Sequence, residues 1–161
     1  MQIQIKKPFE ARMTDNNTKS TDNTKPLAGA DVDTEGLARE IAELTWDCNT
    51  INTVAIDLRG RVSYTDFIVV CTATSDRQVQ AIARYVERSL RDLGWRTLST
   101  EGIDSGRWAL LDYGDAILHI FNQGARQEFD IEGMWAEAPK LELEDAPESL
   151  YGHFAMDQFD H

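Results

Sequence analysis

Asp66-Phe67-Ile68-Val69-Val70-Cys71-Thr72-Ala73-Thr74-Ser75-Asp76-Arg77-Gln78 is the stretch whose reading decides the fold. From Asp66 to Thr72 the run is nearly all apolar, the pattern of a central strand covered on both faces rather than one with a wet side. Ser75 and Gln78 then stand three apart as a capping box, the serine hydroxyl positioned to accept from the backbone of a new helix and the glutamine to reach back. That helix is expected to run to Leu93. At about 100° per residue, Val79, Ile82, Val86, Leu90 and Leu93 fall on one side and Arg77, Arg84, Arg88 and Arg91 on the other. Gly94 is placed just past its C-terminus. The arginine stripe reads as a solvated face.

Upstream, a helix is expected from Asp33 or Thr34 to Cys48-Asn49, carried by Leu37, Ile41 and Leu44. Thr53-Val54-Ala55-Ile56-Asp57-Leu58 alternates as a strand and ends on the turn Arg59-Gly60. Downstream, strands are expected near 96–100, 108–113 and 116–121, the last two forming a hairpin at Tyr113-Gly114-Asp115. A single helix from Ala125 to Trp135 closes at Ala138-Pro139. Strands joined both by a helical crossover and by a hairpin imply an α/β (α+β type) protein with a mixed sheet and packed helices.

The 161 residues divide into a polar leader (1–31), a body (32–139) and an acidic tail (140–161). Asp15 to Thr24 has no aliphatic residue, a composition that cannot order itself by burial. The formal charge of −12 is uneven: residues 31–139 hold ten Arg, no Lys and nineteen acids, and the tail sets six acids against Lys140. Such a body is not drawn to nucleic acid by a general field, so direct RNA or DNA binding is not expected and a basic protein partner is. No apolar run approaches a membrane span and no secretory signal opens the chain, so a cytoplasmic protein is expected. Cys48 and Cys71 are too few for a zinc set and read as reduced core thiols.

No constellation argues for an enzyme or a bound cofactor. The turn before the Ser75 helix has no glycine for a phosphate loop, and Ser75 lacks a nucleophile elbow, although a helix N-terminus can hold an anion. His119 lies in a strand and reads as a hydrogen-bonded support of the sheet. His153 and His161 fit no metal spacing. Asp31-Val32-Asp33 resembles a Mg²⁺ pair but precedes a helix, where capping is the better reading. Asp112 and Asp115 flank a turn, which turn-forming aspartates favour. A nucleotidyltransferase-like enzyme using Asp112 and Asp115 with a metal is the alternative reading. The distinctive feature is an aromatic set (Trp108, Tyr113, Phe121, Phe129, Trp135) with Arg107 and Arg126 nearby, residue types that dominate protein interfaces. Phe121, Phe129 and Trp135 are expected to fill the core. Alternation puts Trp108 in phase with Leu110 and Asp112, and Ala109, Leu111 and Tyr113 on the opposite face.

Several blocks, in order, resemble the RsfS/Iojap ribosomal silencing factors: 65–72 and 74–83, Glu101-Gly102, 107–115, His119-Ile120-Phe121 and 126–135. The resemblance runs from about Leu37 to Pro139 and departs at Gly133, where a helix-favouring residue is usual. It implies a mixed five-stranded sheet flanked by helices, nucleotidyltransferase-like but without that fold's catalytic carboxylates. It further implies binding to the large ribosomal subunit through a ribosomal protein at the inter-subunit face. Such binding blocks small-subunit joining and represses translation; a role in large-subunit assembly and homodimers are also implied. By resemblance the contact falls on Arg107, Trp108, Asp112, Tyr113, Asp115, His119 and Arg126, with Trp108 as anchor. The tail, with Leu141, Leu143, Leu150, Tyr151, Phe154, Met156 and Phe159, has enough apolar residues to fold back or to dock a partner.

Overall fold

The computed structural model describes residues 33–143. The leader, Asp31, Val32, His153, His161 and the tail from Glu144 onward lie outside the described residues. In chain order the elements are α1 (Thr34–Asp47), β1 (Ile51–Asp57), β2 (Phe67–Ala73), α2 (Asp76–Asp92), β3 (Ser99–Glu101), β4 (Trp108–Asp112), β5 (Ala116–Asn122), α3 (Gln123–Phe129) and α4 (Ile131–Met134).

All seven residues of β2 are buried, as their apolar run requires. β2 runs parallel to β5, from Phe67 opposite Ala116 to Ala73 opposite Asn122, and antiparallel to β1 on its other side. The five-stranded sheet has the order β1-β2-β5-β4-β3. α1 and α2 cover one face, where Leu37, Ile41, Val79, Ile82, Val86 and Leu90 meet Phe67, Val69, Cys71, Leu111 and Leu118. The opposite face carries Ile56, Ile68, Val70, Ile117 and Phe121 under Ala125, Ile131, Trp135 and Ala138. Burying each such large side chain is worth roughly 1.5–3 kcal/mol, so the paired central strands β2 and β5, which both feed the two clusters, are the strands the fold is built around. Burial pushes the Cys48 and Cys71 thiols up to about 12, which keeps both protonated.

The caps follow their chemistry. Ser75 Oγ accepts from Gln78 N at 3.1 Å, and Gln78 Oε1 reaches back to the backbone N–H and hydroxyl of Thr74. Asp33 Oδ1 accepts from Gly36 N at 2.7 Å, the capping role read for this aspartate. Gly94 takes φ +94° after the C-cap Leu93.

Two expectations are corrected. The helix expected over 125–135 is two helices, because Asp130 is left-handed (φ +44°) and starts a new helix by accepting from Gly133 N at 3.1 Å. A Cβ at Gly133 would meet that carboxylate, as one at Gly36 would meet Asp33's, so a glycine suits this cap. The strand expected at 96–100 is shorter and later, Ser99–Glu101, because β4 offers partners only up to Asp112, which pairs with Ser99. The chain past Pro139 does not leave the domain at once. Pro139 O accepts from Asp57 N, Leu141 N donates to Ala55 O, Lys140 bridges Ile56, and Leu141 and Leu143 pack on the core.

Candidate protein-binding face

In the β4–β5 hairpin Trp108 lies opposite Phe121 and Leu110 opposite His119, and directly opposed residues share a face. That face is the one turned away from α1 and α2. α3 and α4 cover it over β1, β2 and β5 but leave Trp108, Leu110 and Asp112 half-buried at the β4 end. An aromatic cluster forms there. The Trp108 ring is 4.5 Å from Phe129, 5.1 Å from Phe121 and 5.8 Å from His119, centroid to centroid. These separations are those at which aromatic pairs attract beyond simple area burial.

Trp108 Nε1 donates to His119 Nδ1 at 3.0 Å. An indole N–H is only a donor, so Nδ1 carries no proton and the ring holds its hydrogen on Nε2. Burial among apolar neighbours pushes the His119 imidazole down to about 4, so it is neutral at pH 7. The expected supporting histidine is therefore in place. Phe129 is 43% exposed and extends the apolar surface onto α3, and Met134 at the end of α4 is 71% exposed. The Arg107 guanidinium sits 5.9 Å over the Phe129 ring and pairs with Glu128, an exposed ion pair of small energetic worth.

A second, shallow depression lies at the carboxyl ends of β2 and β5, lined by Ser75, Asp76, Arg107, Asn122 and Glu128 among others. Several of its polar groups are already used: Ser75 and Asn122 cap helices, Asn122 Nδ2 donates to Asp76 Oδ1 at 2.9 Å, and Arg107 pairs with Glu128. Two carboxylates at its mouth disfavour an anion.

Residues 31–157 match the family model described as "Ribosomal silencing factor during starvation". The chain belongs to the RsfS family. The match extends beyond residues 37–139, which carry the resemblance in the sequence, and takes in most of the acidic tail. The protein named "Ribosomal silencing factor RsfS" from Bacillus subtilis is 35% identical over 91 residues, 56% of this chain and 77% of the relative. The mouse protein named "Mitochondrial assembly of ribosomal large subunit protein 1" is 26% identical over 90 residues, 54% of this chain and 40% of that protein. A crystal structure of a Chromobacterium violaceum protein superposes with a TM-score of 0.63 at 28% identity, covering 65% of this chain and 88% of the other.

In this RsfS chain the seven residues expected to form the contact do not lie together. Trp108, Asp112 and His119 share the open face, and Arg107 flanks it. Tyr113 does not: it is 1% exposed on the α2 side, the face that its alternation with Trp108 demands. Arg126 is turned inward, where Nη1 donates to Asn52 O at 2.6 Å and Thr72 Oγ1 at 2.8 Å, and Nε to Glu132 at 2.7 Å. It clamps the carbonyl of Asn52, left-handed at φ +51° where the β1–β2 register shifts. Asp112 Oδ1 accepts from Gly114 N at 2.7 Å, a turn role that occupies one carboxylate oxygen of the alternative metal pair. Asp115 supplies its backbone carbonyl to the N–H groups of Asp66 and Phe67, both at 3.1 Å. Among the described residues no three His, Cys, Asp or Glu side chains converge as a metal-ligand set. Phe129, expected in the core, and Met134, outside the expected contact, are exposed where the helix breaks at Asp130, and the sequence cue for that break is the Asp-x-Glu-Gly pattern shared with Asp33–Gly36.

Proposed function

We propose that this chain is a ribosomal silencing factor that binds the large ribosomal subunit through a ribosomal protein at the inter-subunit face. Bound there, it blocks small-subunit joining by occupying space and represses translation in the cytoplasm. The observation that carries this reading is the half-buried Trp108, stacked on Phe121 and packed at a tilt against exposed Phe129 at the open end of an otherwise covered sheet face. Buried-edge aromatics of this kind are the anchors of protein interfaces. Leu110, Asp112 and Arg107 surround the anchor, with Phe129 and Met134 added to the contact and Asp115 at its turn. The excess of acids over bases in the body suits a basic ribosomal protein, since opposite fields speed encounter. Steric exclusion needs no covalent step, so the protein acts as a binder and not as an enzyme. The naming of the mouse relative for the ribosomal large subunit supports the choice of subunit and is compatible with a role in its assembly.

The test is co-sedimentation of the full chain with isolated large subunits, small subunits and joined ribosomes at two salt concentrations. Selective binding to large subunits that prevents rejoining is expected, and Trp108→Ala is expected to cost about 2 kcal/mol, roughly 30-fold in affinity. Folded protein that binds no particle overturns the function. Unchanged affinity of Trp108→Ala moves the interface elsewhere.

A further inference from the structure

His119 is 6% exposed, too deeply set between its strand neighbours Val70 and Leu110 to offer much surface to a partner, yet it touches the anchor directly. Its Nδ1 receives the Trp108 indole N–H at 3.0 Å, and its ring lies 6.0 Å from Phe121 at an interplanar angle of 7°. Phe121 in turn stacks on Trp108 at 5.1 Å. We propose that His119 is a positioning residue for recognition of the ribosomal partner: it fixes the indole so that Trp108 presents its ring instead of its N–H. The inference rests on the binding reading above and deepens it by naming what the partner meets.

Two physical arguments support it. A half-buried tryptophan on an open strand end has alternative side-chain rotations, and an interface that must freeze them loses affinity. A hydrogen bond made before the partner arrives removes that cost. The same bond also consumes the only polar hydrogen of the anchor, so the surface formed by Trp108 and Phe129 offers aromatic faces and no donor. Such a surface accepts an aliphatic or cationic side chain on the ring face. Both groups are abundant on a basic protein. A partner that needed to receive a hydrogen bond from the indole would find it taken. Neutrality of His119 is what makes the arrangement work, because an imidazolium has no acceptor to give; the apolar surroundings that depress its protonation therefore serve the geometry.

The experiment uses the full chain and purified large subunits, with His119→Leu, His119→Gln, Trp108→Ala and Trp108→Phe. Leucine fills the site without an acceptor, whereas the glutamine side-chain oxygen restores one. His119→Leu is expected to weaken binding about tenfold and His119→Gln about twofold or less. In the Trp108→Phe background, which has no indole N–H, His119→Leu is expected to cost no more than about twofold further. The Trp108 indole ¹H–¹⁵N resonance, assigned by its disappearance in Trp108→Phe, is expected to shift and lose exchange protection in His119→Leu and to keep both in His119→Gln. Wild-type affinity of His119→Leu overturns the inference. An equal loss in both tryptophan backgrounds also overturns it, since His119 then acts by direct contact or through overall stability. If Trp108→Ala itself binds as wild type, the binding face is wrong and the inference falls with it. A large loss in Trp108→Ala beside wild-type binding in His119→Leu removes the positioning role alone.

Discussion

Acidification from pH 7.5 to pH 5 should destabilise the fold through His119. The imidazole is buried and pushed down to about 4, against an ordinary value of 6.5. Between those two values the unfolded chain binds a proton that the folded chain refuses, so stability rises with pH through this window and is fully present above about 6.5. Each pH unit inside the window changes stability by about 1.4 kcal/mol, which gives a loss of about 2 kcal/mol at pH 5 and about 3 kcal/mol at pH 4. At 6% exposure little solvent screening reduces this figure. One carboxylate acts with the same sign, but only at pH below the range of this experiment. The Asp57 carboxyl, held low by its hydrogen bonds to Arg59, contributes stability present above its unfolded value and lost as pH falls through its folded one. His119→Gln keeps an acceptor for Trp108 and cannot titrate, so it serves as the reference. Urea unfolding of both proteins at pH 7.5, 6.5, 5.5 and 5.0 should show the wild type losing about 2 kcal/mol more than the variant over the range, with equal slopes. Curves that stay parallel to within about 0.5 kcal/mol would refute the reasoning, because no differential protonation would then be linked to folding.

Arg126→Met should cost about 2–4 kcal/mol in urea unfolding, because it strands the carbonyl of Asn52, the Thr72 hydroxyl and the Glu132 carboxylate together. Its folded fraction should bind large subunits as the wild type does, and a specific loss of affinity at equal folded concentration would restore Arg126 to the contact. Gly106→Ala should cost more than about 1 kcal/mol by thermal melting, since Gly106 has φ +68° and an added Cβ would sit 2.6 Å from the backbone oxygen of Asp76 at the start of α2. An unchanged melting temperature would mean that this loop shifts freely. Ending the chain at Pro139 should lower stability by about 2–4 kcal/mol, through loss of the bond to Ala55 and of the Leu141 and Leu143 cover. Identical denaturation midpoints for the short and full chains would show that this segment contributes nothing.

The parts of the fold legible from sequence are those whose cause is local. The unbroken apolar run gives β2, the Ser75–Gln78 box gives the start of α2, and Gly94 gives its end. Period-two alternation put Trp108 and Tyr113 on opposite faces, and the structure obeys it. The contact expected by resemblance draws on both residues, which this alternation sets on opposite sides of the sheet. Arg126 could not be read because its carbonyl partner lies 74 residues away, at a bulge in β1 that no residue pattern announces. The packing of 140–143 was hidden by acidity: Leu141-Glu142-Leu143 alternates as a short strand would, but its charge and its place after Pro139 made it read as tail.

The segment from Pro139 to Leu141 also changes what the sheet can do to its neighbours. Along Ala55 to Asp57 the outermost backbone groups of β1 are already answered by the chain itself. On the far side the sheet ends in Ser99–Glu101, three exposed and largely polar residues, a poor template for another strand. A second molecule therefore finds little invitation to continue the ladder from either margin, and self-association of this body is steered toward its faces. Removing 140–143 would do more than lower stability: it would bare the margin of a strand rich in β-branched residues and turn a self-terminating sheet into one able to recruit copies of itself.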